Sequence, residues 1–318
     1  MASTSTSAAK TSTSGAAPLA TSVTQRDAFY AALPPLMADD DRLVAVLAAI
    51  GASYLDVPAH LAPRVVDVGI REQLLISTAG GLALTGWRPV VHTFPPFLLE
   101  RPYEQVKLDL GHQGVGAVLV SAGGSYGWPA GGATHFGPRD VALLDTLDGW
   151  TVHAPGHPAE VEPLLRRAVA GDDRVYIRLD PTSNTRPADV STDAWTVARG
   201  GNRGLVIAVG PLLDRVLEAT KGFDVTVVHA VTVRPLDVAA LRATAHGPDV
   251  VLVEPWLRGT SSHLVTEALR DRPIRLLSLG VDREEQRVYG EITDHDHLHG
   301  LDVAGITGSL LAFLDLAR

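Results

Sequence analysis

The sequence predicts an α/β protein of two sequential domains, each a largely parallel sheet between two layers of helices, the second domain being smaller. Two observations carry this prediction. Short runs rich in Val and Ile alternate with segments of helical periodicity, and the alternation is broken once, at residues 181–202. Apolar strands separated by helices are typical of parallel sheets that are buried on both faces. A length of 318 residues suits two cores better than one.

Six apolar runs bounded by glycine or proline predict the strands of the first domain, which we assign to residues 25–188. They are RLVAVLAAI, RVVDVGI, RPVVHTF, GAVLVSA, WTVHAP and RVYIRL. Helical periodicity appears between several of them, as in RDVALLDTLD and HPAEVEPLLRRAVAG. This order of elements predicts strand–helix–strand units.

Residues 189–202 continue the Pro-, Ser-, Thr-, Asp- and Gly-rich stretch and predict a linker that holds at most a short edge strand. The alternation then resumes, and we assign residues 203–318 to the second domain. Its predicted strands are GLVIAVG, DVTVVHAVTV, DVVLVEP and IRLLSLG. Its predicted helices are PLLDRVLEAT, DVAALRATA, SSHLVTEALRD and DVAGITGSLLAFLDLA.

Composition excludes several classes of function. The chain has no cysteine, which rules out disulfides, thiolate metal sites and a cysteine nucleophile. A formal net charge of −9 gives no general attraction to nucleic acids or anionic membranes, and no apolar run approaches membrane-spanning length. Residues 1–24 are rich in Ser, Thr and Ala without the apolar core of a secretory signal. They predict a disordered tail on a cytoplasmic protein.

The stretch DVGIREQLLIS, residues 67–77, places a carboxylate where a buried strand gives way to an apolar helix. In parallel sheets, ligands bind beyond the carboxyl ends of the strands, and Glu72 falls at such an end. From the residues alone, Glu72 is either a helix-start carboxylate that complements the macrodipole or a group at the mouth of a binding crevice.

A longer run, DVGIREQLLISTAGGLALTGWRPVVHTFPPFLLERPYEQV, resembles the pyrimidine-binding domain of transketolases and of 1-deoxyxylulose-5-phosphate synthase. The resemblance continues through GATHFGPRDVALLDTLDGWTVHAPGHPAEV and, in the second domain, through VRPLD, VVLVEP and YGEITDHDHLHGLD. It covers nearly everything after the tail. The chain therefore resembles the C-terminal half of a transketolase: a pyrimidine-binding domain followed by the transketolase C-terminal domain.

The resemblance implies thiamine diphosphate as cofactor and assigns roles around it. The family's glutamate matching Glu72 hydrogen-bonds N1′ of the aminopyrimidine ring, a catalytic role that a dry pocket favours. The aromatic residue matching Phe94 stacks on that ring, and Ile70 and Phe97 belong to the same cofactor pocket. For Phe97, plain core packing remains an equal alternative.

The resemblance also assigns candidate substrate-binding residues. His135, in GGATH, matches a histidine beside the reacting carbons that passes protons or hydrogen-bonds to substrate oxygens. Arg178 is a further candidate substrate ligand, while Arg101 is either a structural cation or a support of the pocket and subunit interface. Many family members have Asp where this chain has Gly131, and an arginine that grips phosphate where it has Pro181. These departures predict an altered substrate, because a bidentate phosphate clamp is missing.

The family's diphosphate-binding motif, Gly-Asp-Gly followed about thirty residues later by Asn, has no match in this sequence. The resemblance therefore implies a split enzyme, in which a separate polypeptide, the N-terminal half, binds the diphosphate and supplies the Mg²⁺ ligands. A two-plus-two heterotetramer is expected. We expect no metal site in this chain, although HDHLH places His295, His297 and His299 at alternate positions without a clear helical pattern.

Three functions remain open. The first is the pyrimidine-binding subunit of a transketolase that moves a two-carbon ketol unit from a ketose to an aldehyde. The second is the beta subunit of a 2-oxo-acid dehydrogenase, which has a similar length and plan, although GIREQ and GATHFGPRD fit a transketolase better. The third is a non-catalytic scaffold, against which Glu72, Phe94 and His135 argue.

Overall fold

A computed structural model describes residues 23–285 and 287–315. The predicted tail, residues 1–24, lies outside the described residues except for Val23 and Thr24. The strands are β1 (Leu43–Leu47), β2 (Val65–Asp67), β3 (Arg88–Thr93), β4 (Val118–Ser121), β5 (Trp150–His153), β6 (Arg174–Arg178), β7 (Thr196–Arg199), β8 (Leu205–Val209), β9 (Thr226–Ala230), β10 (Thr232–Arg234), β11 (Asp249–Leu257) and β12 (Arg275–Val281).

The α-helices are α1 (Gln25–Asp39), α2 (Glu72–Leu84), α3 (Tyr103–Gln105), α4 (Asp140–Leu144), α5 (Val161–Ala170), α6 (Leu213–Ala219), α7 (Val238–Thr244), α8 (Ser262–Ala268), α9 (Ile292–Leu298) and α10 (Val303–Asp315). Two π-helical segments, Pro96–Glu100 and Val106–His112, flank α3. No helix in the described part of the chain is long and apolar enough to cross a membrane.

The first sheet has seven strands in the order β10-β5-β6-β4-β3-β1-β2. Strands β1 to β6 are mutually parallel, and β10 pairs antiparallel with β5 at one edge. Every residue of β1, β3 and β4 is buried, as expected for strands covered on both faces. Helices α1 and α5 pack on one face and α2 and α4 on the other, which makes this domain three layers.

The second sheet is smaller, with five strands in the order β12-β11-β8-β9-β7. Four strands are parallel, and β7 pairs antiparallel with β9 at the edge. Helices α6 and α10 pack on one face, while α7 and α8 pack on the face that continues into the core of the first domain. The predicted fold class, two sequential α/β domains with largely parallel sheets, is confirmed.

Two local predictions were wrong. The run DVTVVHAVTV is not one strand, because β9 stays in the second sheet while β10 joins the first. Thr232 in β10 is held there by contacts from the predicted linker: its carbonyl accepts from Trp195 Nε1 at 2.9 Å, and its hydroxyl donates to Asp193 Oδ1 at 2.9 Å. The HDHLH segment is helical, since α9 spans Ile292–Leu298.

The topology brings three connections to one edge of the first sheet. Strand β2 leads into α2 and Glu72, β3 leads into Phe94, and β4 leads into a long connection, residues 122–139, before α4. Because β1 to β4 are parallel neighbours, their carboxyl ends lie together. The candidate site is therefore built at this edge.

Candidate active site

The turn before Glu72 is fixed by an aspartate and a glycine. Asp67 Oδ1 accepts hydrogen bonds from the backbone N–H groups of Ala49, at 2.8 Å, and Gly69, at 2.9 Å. Gly69 has a φ of +68°, a left-handed conformation that glycine adopts without steric cost. These contacts set the direction in which α2 starts and so place Glu72 at its first position.

Glu72 is almost fully buried, with a relative exposure of 2%. Its Oε2 accepts a hydrogen bond from Arg101 Nη1 at 2.6 Å, and the Arg101 guanidinium lies 4.3 Å from the centre of the Phe97 ring. A carboxylate that only complemented a helix end would stay in solvent. The burial and the arginine partner favour the second interpretation, a group in a binding crevice.

Four rings meet at the ends of β3 and β4. The imidazole of His135 is edge-on to Trp128, Phe97 and Phe94, at centroid distances of 4.6, 5.0 and 6.0 Å. Phe94 and Trp128 are nearly parallel, 5.6 Å apart with 14° between planes. The structure thus brings the predicted residues Phe94, Phe97 and His135 together and adds Trp128.

The glycines of the loop make room for these rings. A Cβ on Gly131 would lie 2.7 Å from Trp128 Cε3 and 2.9 Å from His135 Cβ, so no side chain fits at this position. Gly123, with a φ of +102°, would bring a Cβ to 3.2 Å from the Phe94 ring. The packing of Trp128 against His135 therefore requires glycine at position 131.

His135 is half-buried and oriented by its own loop. Its Nδ1 lies 3.2 Å from the Gly131 carbonyl oxygen and 3.0 Å from Thr134 Oγ1. When Nδ1 carries the hydrogen and donates to Gly131, the neutral ring has Nε2 free as a proton acceptor. The loop thereby prepares one ring nitrogen for proton transfer.

Arg178 does not join this group. Its side chain is 1% exposed, and it donates to Asp140 Oδ2 at 2.6 Å and to Ser125 Oγ at 2.7 Å. A substrate would have to displace these partners to reach the guanidinium. These contacts tie β6 to α4 and to the loop after β4, which favours a structural role for Arg178 over the expected substrate-binding one. Ile70 lies at the other extreme, 74% exposed at the edge of the site.

A cavity of about 460 Å³ opens beside Phe94 and Trp128. Its wall includes Arg26 and Tyr30 from the first turns of α1, and Tyr54 from the loop after β1. Arg26 Nε donates to Tyr30 Oη at 2.9 Å, and its Cζ lies 5.3 Å from the centre of the Tyr54 ring. The size suits a small organic molecule. We call this space the aromatic cavity.

The second domain holds the loop that carries His135. Tyr126 Oη donates to Asp296 Oδ1 at 2.7 Å, and Asp296 Oδ2 pairs with Arg215 at 2.7 Å. The His295 ring is stacked on Tyr126, 5.2 Å away, and edge-on to Phe136, 5.0 Å away. Tyr126 and Phe136 flank the segment 127–135, so α9 contacts both ends of that segment.

The rings of His295 and His299 are stacked at 6.4 Å, and the three histidines of HDHLH have different polar surroundings. His295 is buried among rings, His297 pairs with Asp302 at 2.8 Å on the surface, and His299 faces Asp282 at 3.6 Å. Across residues 23–285 and 287–315, no group of three or more His, Cys, Asp or Glu residues could hold a metal ion.

Sequence reasoning did not identify Trp128 or the aromatic cavity. Arg26 and Tyr30 are four residues apart on α1, a spacing that places both on one helix face, and this was the only available signal. Tyr54 and Trp128 stand in irregular segments, where no periodicity points to a shared location.

The model of the transketolase pyrimidine-binding domain family matches residues 21–186 of the chain. An uncharacterized 33.6 kDa protein in the fasciation locus of Rhodococcoides fascians is 49% identical over 292 residues, which are 90% of this chain and 94% of that protein. The B subunit of the apulose-4-phosphate transketolase of Actinobacillus succinogenes is 30% identical over 264 residues, 78% of this chain and 84% of that protein.

The 1-deoxy-D-xylulose-5-phosphate synthase of Clostridium acetobutylicum is 28% identical over 309 residues, 91% of this chain but 49% of the synthase. The chain thus spans about half the length of such synthases. Among solved structures, a split-gene transketolase described as an inactive beta4 tetramer superposes with a TM-score of 0.80 at 23% identity. The alignment covers 93% of this chain and 99% of that one. At this identity the match establishes the fold.

Proposed function

Because this chain belongs to the transketolase family, we propose that it is the pyrimidine-binding subunit of a split, thiamine-diphosphate-dependent transketolase. The reaction moves a two-carbon ketol unit from a ketose donor to an aldehyde acceptor. One carbon–carbon bond of the donor breaks and one forms to the aldehyde carbon. No net oxidation or reduction occurs, so no oxidant is required.

The observation that carries the proposal is the buried carboxyl group of Glu72 at the start of α2. A buried carboxyl beside an aromatic face suits a flat heterocycle that has a protonatable ring nitrogen. Glu72 would hydrogen-bond the aminopyrimidine ring of the cofactor and Phe94 would stack on it. Phe97 and Ile70 would complete the pocket on either side of Glu72.

Thiamine diphosphate, when bound, supplies the electron sink for breaking and making carbon–carbon bonds. The residues of this chain would orient its ring and move protons. Glu72 would hold a proton at the ring nitrogen, and His135 would exchange one with a substrate oxygen through Nε2. The packing of His135 against Phe97 and Trp128 supports this role, because it fixes the plane of the imidazole.

The diphosphate half of the site would belong to a second polypeptide. This sequence lacks the Gly-Asp-Gly and Asn motif, and the described residues include no group that could hold a metal ion. Mg²⁺ and its oxygen ligands would therefore come with the partner. Two relatives of similar length support a divided enzyme, since one is the B subunit of a transketolase and the other comes from a split transketolase gene. We propose a two-plus-two heterotetramer.

Co-expression with a candidate diphosphate-binding partner chain tests the proposal. We expect the two chains to purify together with thiamine diphosphate and Mg²⁺, and only the complex to transfer ketol units. Mass spectrometry and metal analysis measure the bound groups, and product analysis measures transfer. Thiamine diphosphate bound by this chain alone, or a loaded complex that transfers no ketol unit to any aldehyde, would contradict the proposal.

The substrate is proposed to differ from an ordinary sugar phosphate. Pro181 lies in the wall of the aromatic cavity, at the position where the family places a phosphate-binding arginine, and Gly131 removes the family's aspartate. The loss of both contacts should weaken binding of a phosphorylated polyhydroxy substrate. Specificity constants of the complex for pentose phosphates, compared with non-phosphorylated substrates, measure this effect.

A further inference from the structure

Two pairs of nearly parallel rings line the aromatic cavity. Tyr30 and Tyr54 lie 5.8 Å apart between ring centres with 11° between planes, and Phe94 and Trp128 lie 5.6 Å apart with 14° between planes. All four rings face the same space of about 460 Å³. Aromatic side chains gain most from flat unsaturated partners that stack in an offset arrangement. The cavity wall therefore suits a flat ring or conjugated group.

The charges in the wall disfavour a phosphate. The charged residues that line the cavity are Arg26, Asp27 and Asp180, one cation against two carboxylates. Hydrogen bonds from Thr24 lower the pKa of Asp27, so this carboxylate is ionised at neutral pH. The Arg26 guanidinium is already engaged with the Tyr30 hydroxyl and lies over aromatic rings. Asp180 in turn pairs with the buried Arg178 at 3.7 Å, so a phosphate dianion would meet no net positive charge here.

The cavity is next to His135, the candidate residue for proton transfer. Trp128 contacts both Phe94 and His135, with ring centres 5.6 and 4.6 Å away. Trp128 can take this position because Gly131 has no side chain. Glycine at position 131 is therefore what makes room for the aromatic wall.

We propose that the aromatic cavity is the acceptor site, and that Tyr54 and Trp128 select an aldehyde with a flat, uncharged aromatic or conjugated group over a sugar phosphate. This inference rests on the proposed function for the identity of the acceptor. The preference of the cavity for a flat group is a property of this chain alone, and binding to the isolated chain measures it.

Binding is measured with benzyl alcohol, an unreactive stand-in for an aromatic aldehyde, by saturation-transfer NMR titration of the full chain. Cyclohexylmethanol serves as the non-aromatic comparison and glyceraldehyde 3-phosphate as the phosphorylated one. We expect benzyl alcohol to bind at least about fivefold more tightly than either. This is the size of effect that a lost stacking contact produces.

Variants of the cavity residues test whether benzyl alcohol binds in the aromatic cavity. Trp128→Ala and Tyr54→Ala should each raise the Kd for benzyl alcohol about fivefold or more. Trp128→Phe should keep most of the affinity that Trp128→Ala loses. Trp87→Ala is the matched control, because Trp87 is 37% exposed and is not part of the cavity wall. Thermal unfolding by circular dichroism checks that the variants fold. Equal binding of the phosphate, or no effect of Trp128→Ala, would overturn the proposal.

Kinetic assays of the assembled complex distinguish a failure of this inference from a failure of the proposed function. With benzaldehyde as acceptor, Trp128→Ala should raise KM several-fold more than it does with glyceraldehyde 3-phosphate. If the complex transfers nothing, while the chain still binds benzyl alcohol through Trp128, the proposed function fails and the cavity preference stands. If the complex prefers glyceraldehyde 3-phosphate, the acceptor inference fails and the transketolase function stands.

Discussion

Arg101 donates a hydrogen bond to Glu72 across 2.6 Å, although the two residues are 29 positions apart. The Glu72 side chain is 3% exposed and the Arg101 side chain 40%, so the guanidinium is the partner that faces solvent. Proton sharing with an aminopyrimidine needs a carboxyl oxygen of Glu72 at the ring nitrogen, and Oε2 already accepts from Arg101. Arg101 and the ring nitrogen are therefore expected to compete for Glu72.

Replacing Arg101 by methionine should lower the free energy of unfolding by about 1–2 kcal/mol at pH 7. The buried carboxylate loses its partner, but Arg101 is partly exposed, so solvent screening limits the loss. Urea denaturation followed by circular dichroism measures the change. Arg166→Met is the matched control, because Arg166 pairs with Glu162 at 2.8 Å with both side chains more than half exposed. This control should cost less than about 0.5 kcal/mol, and an equal cost for both variants would contradict the special position of Arg101.

Glu72→Gln should abolish most ketol transfer by the assembled complex while leaving assembly intact. Glutamine keeps the size and one hydrogen bond of the side chain but cannot exchange a proton, and such a loss typically costs about 10²- to 10⁴-fold in rate. Steady-state kinetics measure the rate, and analytical ultracentrifugation measures assembly. Glu104→Gln, an exposed change in α3, is the control. Activity within tenfold of the unmodified complex would exclude the proton-sharing role.

The parts of the fold that sequence periodicity specifies were predictable. Buried strands such as β1 and β8 are continuous apolar runs, and α2 begins at Glu72, where helical periodicity starts. Parallel pairing gathers strand ends at one edge, which predicted the place of Glu72, whereas Phe94 was assigned to the site by the family resemblance. Here local pattern and topology agree, so the approximate place of the site could be derived.

Periodicity does not specify which strands pair, or which side chains meet, when they are far apart in the sequence. Strand β10 has the same apolar pattern as β9, yet it joins the other sheet because Trp195 and Asp193 hold Thr232 there. The stacking of Trp128 on Phe94 also joins segments that are separated by 34 positions and lie in irregular structure. Such contacts depend on the assembled core, and the sequence has no local signal for them.

Replacing His295 by phenylalanine should stabilise the protein, and more strongly at acid pH. Both ring nitrogens of His295 are buried without a hydrogen-bond partner, which costs free energy, while its ring stacks on Tyr126. Burial lowers the pKa of His295 below its usual value of 6.5, against the raising effects of Asp294 and Asp296. As pH falls through 6.5, the unfolded chain binds a proton that the folded chain does not, so stability is lost at low pH.

We expect His295→Phe to raise the unfolding free energy by about 1 kcal/mol at pH 8 and by more at pH 5. Urea denaturation at both pH values measures the two differences. His297→Phe is the control on the same helix, because the His297 side chain is 83% exposed and its Nδ1 pairs with Asp302 at 2.8 Å on the surface. A stabilisation that did not grow at pH 5 would show that His295 is not held neutral by burial.

Variants of Arg178 test whether this arginine is a structural cation or a substrate ligand. Its buried pair with Asp140 at 2.6 Å predicts that Arg178→Met lowers the unfolding free energy by about 3–5 kcal/mol, because Asp140 is left charged and unpaired in the core. Tyr176 and the backbone N–H of Val141 still donate to Asp140, and these two hydrogen bonds do not offset the loss. Adding Asp140→Leu should restore most of the stability, since removing both charges leaves no buried ion. Denaturation of the unmodified protein, both single variants and the double variant gives the four free energies of unfolding of a double-mutant cycle. If Arg178→Met lowered activity of the complex without affecting stability, Arg178 would bind substrate after all.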